Sequence, residues 1–216
     1  MADIPAARRM QAPRLFAPRI VALSSLAVLA ICAAGCHPAA LLDTKPLDDV
    51  GMSYDAIQQL KALQITPAEL PGIAHARAAG LSDAGCVEAV RIYRSRGVPF
   101  DGGDSIASLL QAGMSEESVL DLARMGQLGL GVGEFQAMRL AGLSDAIVLE
   151  VARRRAAGQP VLSGGSLADM RNAGLREATM LELLRRGVPD SQADIILSAR
   201  HHGATDAQIL RHFSGS

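Results

Sequence analysis

One short phrase recurs along the chain and constrains its fold more than any other feature. The phrase reads Ala-Gly-apolar-Ser-acid in its clearest form, and two later copies are relaxed. Its copies span residues 79–83, 112–116, 141–145, 173–177 and 202–206. The glycines are 33, 29, 32 and 29 residues apart, a spacing typical of repeat proteins. The sequence therefore predicts a tandem repeat.

Each position of the phrase has a local structural meaning. Glycine ends a helix because it adopts the left-handed backbone conformation that other residues resist. Ser or Thr then caps the next helix by accepting from an unpaired backbone N–H, and the acid lies in the first turn, where the helix dipole favours negative charge. The stretch Thr66-Pro67-Ala68-Glu69 predicts a further helix start, with Thr66 as cap and Glu69 closing a capping box.

Apolar residues at helical spacing follow each phrase, as with Ile147, Val148 and Val151. The second helix of each unit is predicted to be the longer one, and a glycine-containing linker follows it. Helices this short are marginal alone and must bury apolar faces on neighbours. We therefore predict an all-α fold of tandem short helical hairpins over residues 52–216, arranged as a compact array or a short solenoid.

The N-terminus has the pattern of an export signal. Four arginines precede an apolar run at residues 20–34, and only Asp3 opposes their charge: Arg8, Arg9, Arg14 and Arg19. The run ends in small residues, as a secretory signal does. Its 15 residues fall short of the roughly 20 that span a bilayer, which disfavours an uncleaved membrane helix. An ordinary secreted protein remains an alternative.

The end of this segment, Ala33-Ala34-Gly35-Cys36, resembles the lipobox of bacterial lipoproteins, usually Leu-Ala-Gly-Cys. The resemblance covers only the first 36 residues and departs from the commonest pattern at Ala33. It implies cleavage before Cys36, lipid on the Cys36 thiol, and a membrane-anchored product. Residue 37 is His and not Asp, which in such families implies sorting to the outer membrane, facing the periplasm, in a Gram-negative cell. The expected organisation is a signal peptide at 1–35, a lipidated N-terminus with a flexible tether at 36–51, and the helical domain at 52–216.

Composition excludes several classes of function. Without the signal peptide the chain carries 17 basic and 21 acidic residues, a balance that argues against nucleic acid as partner. Cys86 would be the only thiol besides the lipidated one, so neither an internal disulfide nor a cysteine-based metal site is predicted. In the repeat alignment Cys86 falls at apolar positions, and we expect it to be buried.

No catalytic, metal or cofactor site is predicted. The adjacent His201 and His202 project about 100° apart on a helix, and His212 lies beyond a predicted turn. The glycine run at 129–133 follows a helix and not a strand, which disfavours a phosphate-binding loop. We therefore predict a non-enzymatic binding or structural module. The alternative is an enzyme or enzyme accessory that acts on cell-wall or lipid material.

The arginines form the sharpest candidate surface. They end the second helices, whereas acids begin them, so parallel stacking would create a basic edge. The candidate residues are Arg94, Arg96, Arg124, Arg153, Arg154, Arg155, Arg185 and Arg186. Such an edge suits an anionic glycan, a lipid headgroup or another envelope protein. The alternative is that each charge only complements the dipole of its own helix.

Overall fold

The computed structural model describes residues 42–129 and 131–213, and within these ranges every regular element is helical. Twelve α-helices follow in order, with one short 3₁₀ turn at Asp190–Gln192 before α11. They are α1 Lys45–Asp49, α2 Tyr54–Ala62, α3 Leu70–Ala78, α4 Asp83–Ser95, α5 Gly103–Gln111, α6 Glu116–Arg124, α7 Val132–Leu140, α8 Asp145–Ala156, α9 Gly164–Asn172, α10 Glu177–Arg185, α11 Ala193–His201 and α12 Asp206–His212. The all-α prediction is confirmed.

Consecutive helices pair into six hairpins, which we number 1 to 6 from α1–α2 to α11–α12. Each odd-numbered helix packs against the odd helices of the neighbouring hairpins, and each even-numbered helix packs against the even ones. The hairpins therefore form a linear, two-layered array. One continuous apolar core runs through it, from Leu47 to Phe213, so the array has the buried surface it needs to fold without residues 1–40.

The array begins earlier than the predicted boundary at residue 52. Lys45–Asp49 is already helical, and Leu47 is fully buried in the core. Gly51, with a φ of 71°, and the capping residue Ser53 form the same turn as in later repeats. Tyr54 stands where the other copies have an acid, which is why the phrase is not recognisable in hairpin 1. Residues 45–51 of the expected tether therefore belong to the array.

Two local predictions were wrong. Helix α3 begins at Leu70 and not at Pro67, although the Glu69 carboxylate does accept from the Thr66 N–H at 2.7 Å, as the predicted capping box requires. The second helix is longer than the first in hairpin 1, where α2 has nine residues against five in α1, and in hairpins 2 and 4, where α4 has 13 residues and α8 has 12. Helices α6 and α10 have nine residues each, as α5 and α9 do.

The glycine turns have the geometry that the phrase predicts. At Gly80, where φ is 108°, the glycine N–H donates to the Arg77 carbonyl at 3.0 Å and the Leu81 N–H donates to the Ala76 carbonyl at 3.1 Å. This is the Schellman arrangement, which satisfies the last carbonyls of the helix. Leu81 is fully buried beneath the turn, so the turn also contributes to the core.

The acid of each phrase connects one hairpin to the one before it. The carboxylate of Glu116 accepts from the backbone N–H of Ser82 at 2.8 Å and from its hydroxyl at 2.6 Å. The five such contacts, which we call latches, join Ser53 to Asp83, Ser82 to Glu116, Ser115 to Asp145, Ser144 to Glu177, and Arg176 to Asp206. These acids therefore do more than complement their own helix dipoles.

The latches act on the acidity of the carboxylates. Burial alone would raise the pKa of Asp145, but hydrogen bonds from the hydroxyl and N–H of Ser115, together with the Arg139 charge, hold that pKa below its ordinary value. The pKa of Asp206 is lowered in the same way, against the effect of burial, by Thr179 and Arg176. The ionised carboxylate is thus the form that the junctions stabilise.

Replacing Ser82 with alanine is expected to lower the free energy of unfolding by about 1–2 kcal/mol. Its hydroxyl accepts from the Gly85 N–H at 2.9 Å and donates to Glu116. Ser144, at the equivalent position of α8, has a buried hydroxyl with no partner among the described residues. Ser144→Ala is the matched control and should leave stability nearly unchanged in urea unfolding. Equal losses in the two variants would contradict the latch interpretation.

Candidate functional site

The structure places the eight arginines of the predicted basic edge on one side of the array. The latches join the first turn of each even helix to the first turn of the next, so α4, α6, α8 and α10 run parallel and end on the same side of the array. All eight candidate arginines lie at or near those ends. What decides their role is how many of the guanidinium groups are already bonded within the protein.

Arg94 and Arg96 hold neighbouring hairpins together. Arg94 donates to the carbonyls of Leu63 and Gln64 at 3.1 and 3.2 Å, and it pairs with the Glu69 carboxylate at 2.7 Å. Arg96 donates to the Ala123 carbonyl of hairpin 3 and lies 5.9 Å from the centroid of the Tyr93 ring. Both side chains therefore act as connections between hairpins.

Three more arginines of the edge are bonded internally. Arg154 donates to the carbonyls of Pro160 and Arg185, at 3.0 and 3.2 Å. Arg155 pairs with Glu134 at 2.9 Å and lies over the Phe135 ring, and Arg186 pairs with Glu182 at 2.8 Å. The edge as a whole is consequently not a surface of free positive charge.

The remaining three belong to a periodic pattern on the solvent side of the even helices. Arginine is the ninth residue after the N-cap in α4, α6, α8 and α10, and an acid is the sixth. The arginines are Arg91, Arg124, Arg153 and Arg185, and the acids are Glu88, Asp121, Glu150 and Glu182. We call this pattern the outer ladder. Within it Arg124 contacts Glu88 at 3.1 Å and Asp121 at 2.8 Å.

Four further arginines were missed by the sequence reasoning, although their spacing is visible. They lie three residues before the turn glycine of hairpins 2, 4, 5 and 6: Arg77, Arg139, Arg171 and Arg200. Arg139 donates to the Gly113 carbonyl at 2.6 Å and pairs with Asp145 at 3.1 Å. Arg200 reaches the Gly174 carbonyl at 2.7 Å. These side chains reinforce the latches from the same side of the array.

Glu69 is the most deeply buried acid of a groove between hairpins 2 and 3. Its side chain is 2% exposed. It accepts from Arg94, from the Thr66 N–H at 2.7 Å and from the Phe100 N–H at 2.5 Å. Burial alone would raise the pKa of Glu69, but these bonds lower it to about 2. Glu69 is therefore a fixed negative charge, unsuited to exchanging protons near neutral pH.

The groove above Glu69 has a volume of about 520 Å³, with Pro71, Gly72 and Phe100 in its walls. At its exposed rim His75 Nδ1 lies 2.6 Å from Asp104 Oδ1. Such a contact orients an imidazole ring and leaves Nε2 free toward solvent. This is the arrangement among the described residues that most resembles part of an acid–base site.

A second cavity, of about 430 Å³, lies beside the glycine-rich linker between α6 and α7. Gly129, Gly131, Glu134 and Arg155 contribute to its lining. The linker connects two helices, so the strand-to-helix context of a phosphate-binding loop does not occur here. Glu134 and Arg155 neutralise each other across the cavity.

The lone cysteine of the array lies in the core, as predicted. Cys86 is 2% exposed, and burial raises the pKa of its thiol to about 12. The thiol therefore stays protonated, and the reactive thiolate form is suppressed.

The histidines are exposed at the C-terminal end of the array. His202 Nδ1 lies 2.7 Å from the Ser198 carbonyl of its own helix, and His201 and His212 are exposed on α11 and α12. Among residues 42–129 and 131–213, no group of three His, Cys, Asp or Glu side chains converges as a metal site would require.

The predicted signal peptide and the lipidation context of Ala33, Ala34, Gly35 and Cys36 lie outside the described residues. Of the helices that are described, none is long and apolar enough to cross a membrane. No protein-family model, curated protein or solved structure matches this chain.

Proposed function

We propose that this chain is a lipid-anchored protein of the bacterial cell envelope whose helical array is a non-enzymatic binding or support module. The anchor is Cys36, on the resemblance of residues 33–36 to a lipobox. The absence of Asp at residue 37 favours the outer membrane of a Gram-negative cell, with the array facing the periplasm. Several acyl chains on one residue give firm attachment, because each buried methylene contributes about 0.8 kcal/mol.

The main support for a non-enzymatic module is that charged side chains join neighbouring hairpins to one another. Five latches join successive even helices, and Arg94, Arg96 and Arg154 connect hairpins on the opposite side. Charged groups that serve a catalytic step must change protonation or contact a substrate, whereas these groups are held by one another. A continuously connected array suits an extended, fixed surface.

The anchor is tested by mass spectrometry of the mature protein purified from the envelope fraction. We expect an N-terminal Cys36 that carries diacylglycerol. Cys36→Ser should release the chain from membranes, whereas Cys32→Ser, the matched change four residues earlier, should leave it attached. A chain that retains Met1, or an unmodified Cys36, would contradict the anchor.

A second candidate function has one specific observation in its favour. The His75–Asp104 contact lies at the rim of a groove of about 520 Å³, which favours an enzyme or enzyme accessory acting on cell-wall or lipid material. Under this alternative, His75→Gln would abolish turnover of isolated cell-wall or lipid substrate by the purified chain without altering its fold. Identical turnover in both proteins would exclude His75 from catalysis.

A further inference from the structure

Charge is distributed unequally along the array. Hairpins 1–3, residues 42–126, carry seven Lys and Arg against twelve Asp and Glu, whereas hairpins 4–6, residues 131–213, carry ten Arg against nine acids. The N-terminal half is therefore acidic and the C-terminal half slightly basic. An anionic partner is therefore repelled less by the C-terminal half of the array than by the N-terminal half.

The charge pattern of the outer ladder also changes at the C-terminal end of the array. In hairpins 2 and 3 its arginines are bonded: Arg91 donates to Gln59 at 3.1 Å, and Arg124 pairs with Glu88. In α12 the sixth position after the N-cap is Arg211, where α4, α6, α8 and α10 have an acid. The ladder therefore ends with a charge of the opposite sign.

Arg185 and Arg211 lie at this end of the ladder. Both are exposed, and neither side chain has a hydrogen bond or ion pair with any residue that the structure describes. They lie on α10 and α12, which pack against each other, and the axes of packed helices are about 10 Å apart. Arg153 of α8, 55% exposed in its side chain, contacts Glu150 only at 3.4 Å.

We infer that the solvent side of α8, α10 and α12 binds the anionic phosphate headgroups of a lipid surface. Guanidinium groups match phosphate oxygens in geometry and charge, and each arginine near an anionic membrane contributes about 1 kcal/mol. The choice of lipid over other phosphate sources rests on the proposed function, since an anchor at Cys36 keeps the array beside headgroups.

The test uses residues 41–216, which carry the continuous core and lack both the apolar run and Cys36. We expect this chain to bind vesicles of equal parts phosphatidylcholine and phosphatidylglycerol at low salt. It should not bind vesicles that contain only phosphatidylcholine. Arg185→Gln with Arg211→Gln should weaken binding about 30-fold. The control, Arg91→Gln with Arg124→Gln, removes the same charge from bonded ladder positions and should preserve binding within about twofold.

The proposal is overturned if the unaltered chain does not prefer the anionic vesicles, or if the two double variants lose binding equally. It is also overturned if glycerol 3-phosphate in solution binds while the vesicles do not, because the source would then be a free phosphate. Circular dichroism checks that each variant is helical. Acylation of Cys36 plays no part in these measurements, so their failure leaves the anchor proposal standing.

Discussion

Replacing Gly103 with alanine is expected to lower the free energy of unfolding by about 3 kcal/mol, because overpacking of a buried contact costs on this order. Gly103 begins α5 and lies against the backbone of Gly72 in α3. A methyl group there would overlap the carbonyl group and Cα of Gly72. Backbone atoms cannot swing aside as a flexible side chain would, so α3 and α5 would have to separate. Urea unfolding followed by circular dichroism measures the loss.

Gly72→Ala is the matched control on the other side of the same contact. A Cβ at Gly72 would lie 3.6 Å from the Gly103 Cα, an ordinary van der Waals distance. Alanine also has the higher helix propensity, by about 1 kcal/mol, so this variant should be nearly neutral or slightly more stable. Equal losses of stability in both variants would contradict this difference, in which a Cβ at Gly103 meets the Gly72 backbone and a Cβ at Gly72 has room.

Replacing Glu69 with glutamine is expected to cost about 3 kcal/mol at neutral pH, since breaking a buried ion pair leaves its partner uncompensated. The neutral amide cannot balance Arg94, and in either orientation its NH₂ group replaces an oxygen that accepts from Phe100 or from Arg94 and Thr66. Glu134→Gln is the control. Glu134 also joins two hairpins, accepting from the Gly164 N–H at 2.7 Å, but its side chain is 33% exposed. Solvent should limit that loss to about 1 kcal/mol.

The stability of Glu69→Gln should also depend on pH differently from that of the unaltered protein. The pKa of Glu69 is about 2 in the folded chain against an ordinary value of 4.5, so the folded state favours the ionised form. Its contribution to stability is complete above about pH 4.5 and is lost as the pH falls toward 2. Stability measured across this range should fall less steeply in Glu69→Gln than in the unaltered protein. Parallel pH profiles would show that Glu69 is not the group responsible.

Part of the latch system can be predicted from the sequence and part cannot. The recurrence of Gly, Ser and acid in the phrase predicts a turn followed by a capped helix, because both depend on residues close in the chain. The phrase also places Glu116 in the first turn of α6. That its carboxylate reaches Ser82, 34 residues earlier, depends on the packing of α4 against α6, which local spacing does not specify.

For the arginines of the candidate surface, too, the sequence predicts their position but not their contacts. Their position at the ends of the even helices follows from the repeat, and the parallel packing of those helices places them on one side of the array. The sequence does not distinguish Arg94, which pairs with a buried carboxylate 25 residues away, from Arg185, whose side chain is exposed. Only the packing of hairpin on hairpin decides which guanidinium groups face carbonyls and which face solvent.

The sequence by itself determined the helical hairpin, the glycine turn and the burial of Cys86, because propensity, capping and apolar spacing act within one or two turns of chain. It also supplies the only basis for the anchor at Cys36. The tertiary structure decided that hairpin 1 belongs to the array, that the phrase acids join neighbouring hairpins, and that Glu69 is buried. These features depend on contacts between hairpins about 30 residues apart, where the partner of a charge is set by geometry and not by sequence distance.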